Sequence, residues 1–385
     1  MSSTARDTTL VIGPLPPPLN GMTVMTAHAL EGLRGEGVQL VHVDTSDHRK
    51  VGNVGRLDLR NIWLAFSHAF RMFRAVRRTR PRLVYLPIAQ GTLGILRDSL
   101  LFAVARLYRT PVVVHLHGAA FGAFYRASNR VMKGLIRACL STTQSALVLT
   151  PSLRSAFGGV VPEERIVVVS NGIPEPPVFV AASPRKPALR VLFLSNLSRA
   201  KGIADFIAAA ARVLATNSGV EFHVAGDWPS ADDRAFTERQ VNDLSLRGKV
   251  LFHTPVIGLR KAELFHSADL FVFPPRQLEG QPVVILEAMS HGLPVVSTTQ
   301  GGIVDTVDDG QTGILVPPGD SESLASAILT LVEDRELRLR YGRNGLVRYQ
   351  QMFGPVRFGQ TMASILRQSA GHGSAGGSQG LTGTD

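Results

Sequence analysis

Two glutamates eight residues apart are the most informative chemistry in this sequence. They lie in Leu278-Glu279-Gly280-Gln281-Pro282-Val283-Val284-Ile285-Leu286-Glu287-Ala288-Met289, directly after a strand-like run at Leu270–Pro274. Pro282 suits the first turn of a helix, where its missing N–H costs nothing. Glu279 then falls in the loop before that helix and Glu287 about a turn and a half inside it. The free N–H groups around Gly280, Gln281 and Val283 point out of the helix start and suit a diphosphate. Glu287 has the chemistry to accept both hydroxyls of a ribose diol, and Glu279 those of a sugar. The plain alternative is a solvated loop glutamate and a polar face residue, since two glutamates at a given spacing often arise by chance.

Three other segments carry candidate chemistry. In Leu192-Phe193-Leu194-Ser195-Asn196-Leu197-Ser198-Arg199-Ala200-Lys201-Gly202 a strand ends, a polar loop follows and a helix begins. Lys201 at that strand end can meet a phosphate as a compact charge. In Val113-Val114-His115-Leu116-His117-Gly118, alternation puts both histidines on one face, with His117 at the strand's carboxyl end and His115 as a satisfied neighbour. The competing reading of His117 is a lone core histidine. In Gly13-Pro14-Leu15-Pro16-Pro17-Pro18-Leu19-Asn20-Gly21-Met22, Gly21 opens a helix whose N–H groups could meet a phosphate or an acceptor. This is not the G-x-G-x-x-G of a dinucleotide site, which counts against a dehydrogenase.

Taken in order, Glu279-x7-Glu287, the run Ala288-Met289-Ser290-His291-Gly292-Leu293-Pro294-Val295-Val296-Ser297-Thr298, Gly301-Gly302 and Asp309-Gly310-Gln311-Thr312-Gly313-Ile314-Leu315-Val316-Pro317-Pro318-Gly319-Asp320 resemble glycosyltransferase family 4, the group 1 glycosyl transferases. The outline is similar from Gly13 to the last helix, leaving only the tail outside it. The resemblance implies a GT-B fold, retaining transfer and no required metal or other cofactor. It implies that Glu279 touches the donor sugar, that Gly280, Gln281, Pro282 and Val283 line the sugar and diphosphate, and that Glu287 binds the ribose. It gives Lys201 the leaving diphosphate, His117 a hydroxyl of the donor sugar, and Gly226-Asp227 the nucleotide side. Asn171-Gly172-Ile173 matches the family's hinge turn. Two departures stand out. Asn196 occupies a place where the family often has Arg, so a cationic contact is lost or supplied by Arg199. Gln281 replaces the usual aromatic, so donor preference does not transfer from other members.

These residues need elements to position them. Short β-branched runs alternate with amphipathic stretches from Leu10 to Ser170, and again from Leu189 to Tyr349. That alternation predicts two doubly wound parallel α/β domains. The boundaries expected are 1–170 for an acceptor-side domain, a Pro-rich hinge at 171–188 and a nucleotide-sugar domain at 189–350. A terminal helix at 351–368 is expected to pack toward the first domain, followed by a disordered Gly/Ser/Thr tail at 369–385. The ligand is expected at the carboxyl ends of the strands, in the cleft between the domains.

Composition narrows the partners. The chain has 385 residues and 44% apolar content, too long for one ordinary core and too apolar for a disordered protein. A single cysteine, Cys139, allows no internal disulfide and fits a reducing compartment. A short polar N-terminus and the lack of any long apolar run predict a cytoplasmic protein. Its net charge is +11, and residues 1–185 hold 22 Lys and Arg against 10 Asp and Glu, while residues 186–385 hold 19 against 20. The first half therefore calls for an anionic partner. Eight arginines between 56 and 82, interleaved with Ile62, Trp63, Phe66, Phe70 and Phe73, predict a basic amphipathic helix able to lie on the anionic inner face of a membrane. A core-facing helix with a solvated basic side is the alternative, and the two coexist. Nucleic acid is disfavoured, since the basic half has only Trp63, Tyr85, Tyr108 and Tyr125 for stacking besides its phenylalanines and shows no reader motif. The expected partners are thus a nucleotide sugar and a lipid-linked or polysaccharide acceptor. A catalytically silent sugar-nucleotide binder, and an epimerase or hydrolase on the same fold, are the rival functions. No side chain is a convincing covalent nucleophile.

Overall fold

The computed structural model describes residues 8–17, 19–46, 59–177, 188–253 and 256–375. The chain divides into two compact units, residues 1–172 with 355–385, and residues 173–354. Each is built on one six-stranded, all-parallel sheet.

In the first unit β1 (Thr9–Gly13), α1 (Gly21–Gly35), β2 (Leu40–Asp44), α2 (Leu59–Thr79), β3 (Leu83–Pro87) and α3 (Thr92–Leu107) alternate strictly. They are followed by β4 (Val112–Leu116), α4 (Phe121–Ala127), α5 (Arg130–Leu140), β5 (Thr143–Val148) and β6 (Ile166–Val168). The sheet order β2-β1-β3-β4-β5-β6 reverses direction between β1 and β3. Such a reversal splays the two following loops apart and leaves a crevice at the strands' carboxyl ends. Strands β1, β3 and β4 are buried along their whole length, which is why they read as continuous apolar runs.

The second unit runs β7 (Leu189–Leu194), α6 (Ile203–Thr216), β8 (Val220–Ala225), α7 (Ala231–Asp243), β9 (Val250–His253), α8 (Gly258–Ser267), β10 (Leu270–Phe273) and α9 (Val283–Ser290). It closes with β11 (Val295–Thr298), α10 (Ile303–Thr306), β12 (Gly313–Val316), α11 (Ser321–Glu333) and α12 (Arg335–Met352). Its order, β12-β11-β10-β7-β8-β9, reverses between β7 and β10. The core is rich in aromatics, with Phe273, Phe193, Phe206 and Phe222 in successive ring contact at 5.3 to 6.4 Å.

Several elements differ from the sequence expectation. The helical pattern Tyr125–Leu140 is two helices, because Ser128 turns extended and Asn129 caps α5 by accepting the Met132 N–H at 2.9 Å. Helices α8 and α10, which the apolar pattern did not reveal, complete the second unit. The last helix, α13, spans Pro355–Ala375 rather than 351–368. Residues 369–375 are therefore helical, not disordered; residues 376–385 and most of the hinge stretch, 178–187, lie outside the described residues, as does Arg56 of the basic segment. The helix continues because it packs on α1 and on the sheet. Leu366 is buried, and Ser369 meets Ser145 Oγ at 3.0 Å.

The α1–α13 crossing is set by two glycines. A Cβ on Gly359 would stand 3.0 Å from the Gly32 carbonyl oxygen, and one on Gly32 3.0 Å from the Gly359 Cα. We therefore expect Gly359→Val to destabilise the first unit by about 1–3 kcal/mol, the usual cost of overpacking. Gly35→Ala, which meets nothing within 4 Å, should change stability by less than about 0.5 kcal/mol. Chemical denaturation of both variants checks this contrast.

Candidate functional site

In the second unit the loops after β7 and β10, the strands flanking the reversal, lock together. Gly202 adopts φ +84°, and a Cβ there would sit 1.8 Å from the Pro274 carbonyl oxygen. The Ala200 carbonyl accepts the N–H groups of Arg276 at 3.0 Å and Gln277 at 3.3 Å. Arg276 reaches back to α6, donating from Nε and Nη2 to the two carboxylate oxygens of Asp205 at 2.7 and 2.6 Å. Asp205 is buried, so this bidentate pair is a rigid brace.

That scaffold brings Lys201 and Glu279 together. Lys201 Nζ donates to Glu279 Oε1 at 2.6 Å, and Gln277 Nε2 donates to the same oxygen at 2.8 Å. The Glu279 main chain is fixed as well, its carbonyl accepting the Gly302 N–H at 2.9 Å. Gly301 lies at φ +58°, where a Cβ would come within 2.1 Å of that carbonyl oxygen. The glycine pair at 301–302 thus lets this turn press against the Glu279 backbone.

Glu287 lies on α9 as expected, and it also holds a lysine. Lys261 Nζ, on α8, donates to Glu287 Oε1 at 2.6 Å. Glu287 Oε2 is buried and has no partner, leaving one lone-pair-rich oxygen for an incoming donor group. Lys261 and Gln277 were not singled out from the sequence; a lysine on a helix without a clear apolar stripe reads as surface charge. Pro282 is the residue before α9, one position earlier than a first-turn place. The N–H groups of Val283 and Val284 begin the helix with no intrahelical acceptor.

The structure gives three of the expected donor-contact residues other contacts as well. Arg199 is not a free cation: its Nε donates to Asp233 Oδ1 at 3.1 Å and its Nη2 to Asp232, while its guanidinium carbon lies 5.1 Å from the Phe236 ring centre. The acidic first turn of α7 neutralises it. The Gln281 side chain is buried, its amide 3.4 Å from Thr306 Oγ1, so only its main chain faces the loop. Gly226 is a packing residue at φ +139°, where a Cβ would overlap the Ser195 carbonyl oxygen at 1.8 Å. Asp227 is exposed, with its carbonyl accepting the Leu197 N–H at 2.9 Å. The Asn196 side chain is exposed at the tip of the β7 loop.

In the first unit His117 stands just past β4, half-buried. His115 and His117 share a face, with rings 4.1 Å apart. Tyr85 Oη lies 2.7 Å from His115 Nδ1 and 3.4 Å from His117 Nε2. His115, read from the sequence as a satisfied neighbour, is only half satisfied: its Nε2 is buried without a partner, as is His117 Nδ1. Burial pushes His117 down to about 4, and burial together with His117 holds His115 well below the ordinary imidazole range. Both rings are neutral at pH 7. Gly21 opens α1 behind the Asn20–Thr23 capping box, and a Cβ there would meet nothing within 4 Å. Among the described residues no group of three His, Cys, Asp or Glu side chains could hold a metal, and no helix is long and apolar enough to cross a membrane.

The fold is that of the GT-B glycosyltransferases. HepE of Anabaena, solved in complex with UDP, superposes with a TM-score of 0.73 at 18% identity over 94% of this chain and 100% of that one. Sucrose-phosphate synthase of Thermosynechococcus elongatus gives 0.74 at 20% identity over 94% and 99%. The family described as "Glycosyl transferases group 1" matches residues 188–334, and the "Glycosyl transferase 4-like domain" matches residues 20–172. The chain belongs to glycosyltransferase family 4. Among curated relatives, glycogen synthase of Mycobacterium tuberculosis is 30% identical over 253 residues, 63% of this chain and 59% of that one. Alpha-D-kanosaminyltransferase of Streptomyces kanamyceticus is 26% identical over 289 residues, 69% and 73% of the two chains. The chain thus spans under two thirds of the glycogen synthase it matches.

The buried histidines make stability pH-dependent. Unfolded imidazoles take up protons near pH 6.5, whereas the folded His117 does so only near 4. The folded state therefore loses stability as pH falls from 6.5 toward 4 and keeps it above 6.5. His117→Gln should reduce that slope by up to about 1.4 kcal/mol per pH unit. Urea midpoints at pH 7 and pH 5 for both proteins check the sign and the size.

Proposed function

We propose that this chain is a retaining glycosyltransferase that takes its sugar from a UDP- or GDP-sugar, without a metal. The acceptor in this reading is a hydroxyl of a lipid-linked or polysaccharide glycan in cell-surface biosynthesis. The single observation that carries the proposal is the Lys201–Glu279 pair at the β7/β10 reversal. A sugar diphosphate offers Lys201 an anion and Glu279 hydroxyl donors, so one ion pair is exchanged for two sets of charge-assisted hydrogen bonds. The α9 start lies beside them and adds main-chain N–H groups. Glu287 Oε2, already unpartnered, suits a ribose hydroxyl.

In this mechanism the anomeric C–O bond to the diphosphate breaks while the acceptor oxygen bonds the same carbon on the same face. The departing phosphate oxygen takes the acceptor proton. Lys201 and the α9 amides stabilise the charge growing on that phosphate, the role a divalent cation plays elsewhere. His117, neutral at pH 7, has the right form to accept from or donate to a sugar hydroxyl; that part rests on the family resemblance. Support for the donor class comes from HepE, whose solved complexes hold UDP and UDP-glucose. The exposed face of α2 supports a peripheral position on an anionic cytoplasmic membrane surface. Trp63, Phe66 and Phe70 lie there 59–65% exposed, with Arg71, Arg74, Arg77 and Arg78 beyond them.

One observation favours a second reading, a sugar-nucleotide binder that transfers nothing. With Arg199 tied to α7 and Asn196 in the usual arginine's place, Lys201 is the one cation this loop offers a diphosphate.

Thermal unfolding against UDP-, GDP- and ADP-sugars, without added metal, tests donor binding. One donor should raise Tm clearly, and no shift with any of them would remove the donor assignment. With that donor, Lys201→Ala and Glu279→Ala should each lower kcat/KM about tenfold or more. Donor binding with no turnover, to water or to any glycan acceptor, would favour the silent reading.

A further inference from the structure

The first unit contains a cavity of about 800 Å³ that none of the chemistry above uses. It lies at the carboxyl ends of β1 and β3, the two strands flanking the reversal of that sheet. This is where a doubly wound sheet takes its ligand, and the volume falls in the ~300–1,000 Å³ range of sites that engulf a small organic molecule. Its wall is mostly hydrocarbon, with Ile12, Met22, Leu86, Ile88, Leu93 and Leu100 interrupted by Thr45, Asn61, His68 and Ser99. A sugar or a nucleotide would leave its polar groups unpaired against that wall, at a cost of kcal/mol for each group. Ile62, Phe66 and Leu96 line it while remaining 44–60% exposed, which marks its mouth.

The surroundings of the mouth indicate what kind of apolar molecule enters. Helix α2 supplies Ile62 and Phe66 and carries no acidic residue; Arg60 is exposed beside them, and Arg71, Arg74, Arg77 and Arg78 are exposed about one to three turns further along. Arg97 lies on the wall, its guanidinium fixed by Asp98 at 2.7 Å and still 34% exposed. Away from that mouth Gln90 lines the cavity and accepts the Ala120 N–H at 2.7 Å. Gly118 lets that amide approach, since a Cβ there would stand 2.2 Å from Gln90 Nε2. The cavity is thereby joined to the loop that carries His117.

We propose that this cavity holds the hydrocarbon chain of a phosphate-bearing lipid acceptor, with its polar head at the Gln90–His117 loop. The charge of α2 draws such an anionic lipid to this face of the unit, and the apolar wall complements its chain. The proposal deepens the transferase reading and rests on it for the word acceptor, though chain binding can be read without any transfer.

Calorimetric titration with dodecyl phosphate, kept below its micelle concentration, tests it. The wild-type chain should bind one molecule saturably, and inorganic phosphate should bind far more weakly. Ala65→Trp and Leu93→Trp, each filling the cavity, should weaken binding about tenfold or more; whichever keeps the wild-type Tm is decisive. A Trp63→Ser, Phe70→Ser double variant, altered only on the outer face of α2, should bind within about twofold of wild type. No saturable binding, or binding lost in the outer-face variant and kept in the filled cavity, would overturn the proposal. Stabilisation by nucleotide sugar, read in the same samples, separates a failure of the donor reading from a failure of this one.

Discussion

The interlock between the β7 and β10 loops is the constraint on which the proposed donor site depends. Two carboxyl-terminal loops diverge wherever a parallel sheet reverses its strand order. Here they are pulled back into contact by Gly202 under the Pro274 carbonyl, by the Ala200 carbonyl receiving two N–H groups, and by the Arg276–Asp205 brace. Lys201 and Glu279 extend from these two loops, and their 2.6 Å contact exists only because the main chains beneath are fixed. Removing either partner would leave a half-buried charge uncompensated, so charge balance holds the pair together when no ligand is bound.

The same logic recurs in the first unit with different side chains. Its reversal point is lined mainly with hydrocarbon, with Arg97 on the wall already paired to Asp98, and α2 carries five further arginines outside it. One sheet therefore offers fixed ions at its switch point and the other an apolar hollow. That contrast matches the division of charge between the halves of the sequence. It is also the contrast on which the proposed donor and lipid acceptor rest.

All twelve strands were legible in the sequence, because the central ones, buried on both faces of a parallel sheet, are apolar or β-branched nearly throughout. Glu279, Glu287 and Lys201 were singled out by their spacing, their strand-to-helix setting and the family resemblance, and the structure brings Lys201 and Glu279 together. Their partners were not. Lys261 and Gln277 act through contacts of 26 and 2 residues' separation that no periodicity encodes. Arg199 was read as a phosphate contact because nothing local shows that Asp232 and Asp233, more than thirty residues on, face it. Residues 369–375 read as tail because Gly371 and Gly373 disfavour helix, yet α13 runs through them to Ala375. The cavity is a product of tertiary packing alone, and its lining residues read as ordinary core.

Hydrogen–deuterium exchange of the intact chain, with and without the nucleotide sugar that stabilises it most, tests the donor-site assignment most directly. Protection should concentrate in residues 196–203 and 277–288, the two loops of the interlock with the start of α9. Protection absent from both segments and centred instead on 12–22 or 86–97 would place the donor in the first unit and contradict the assignment.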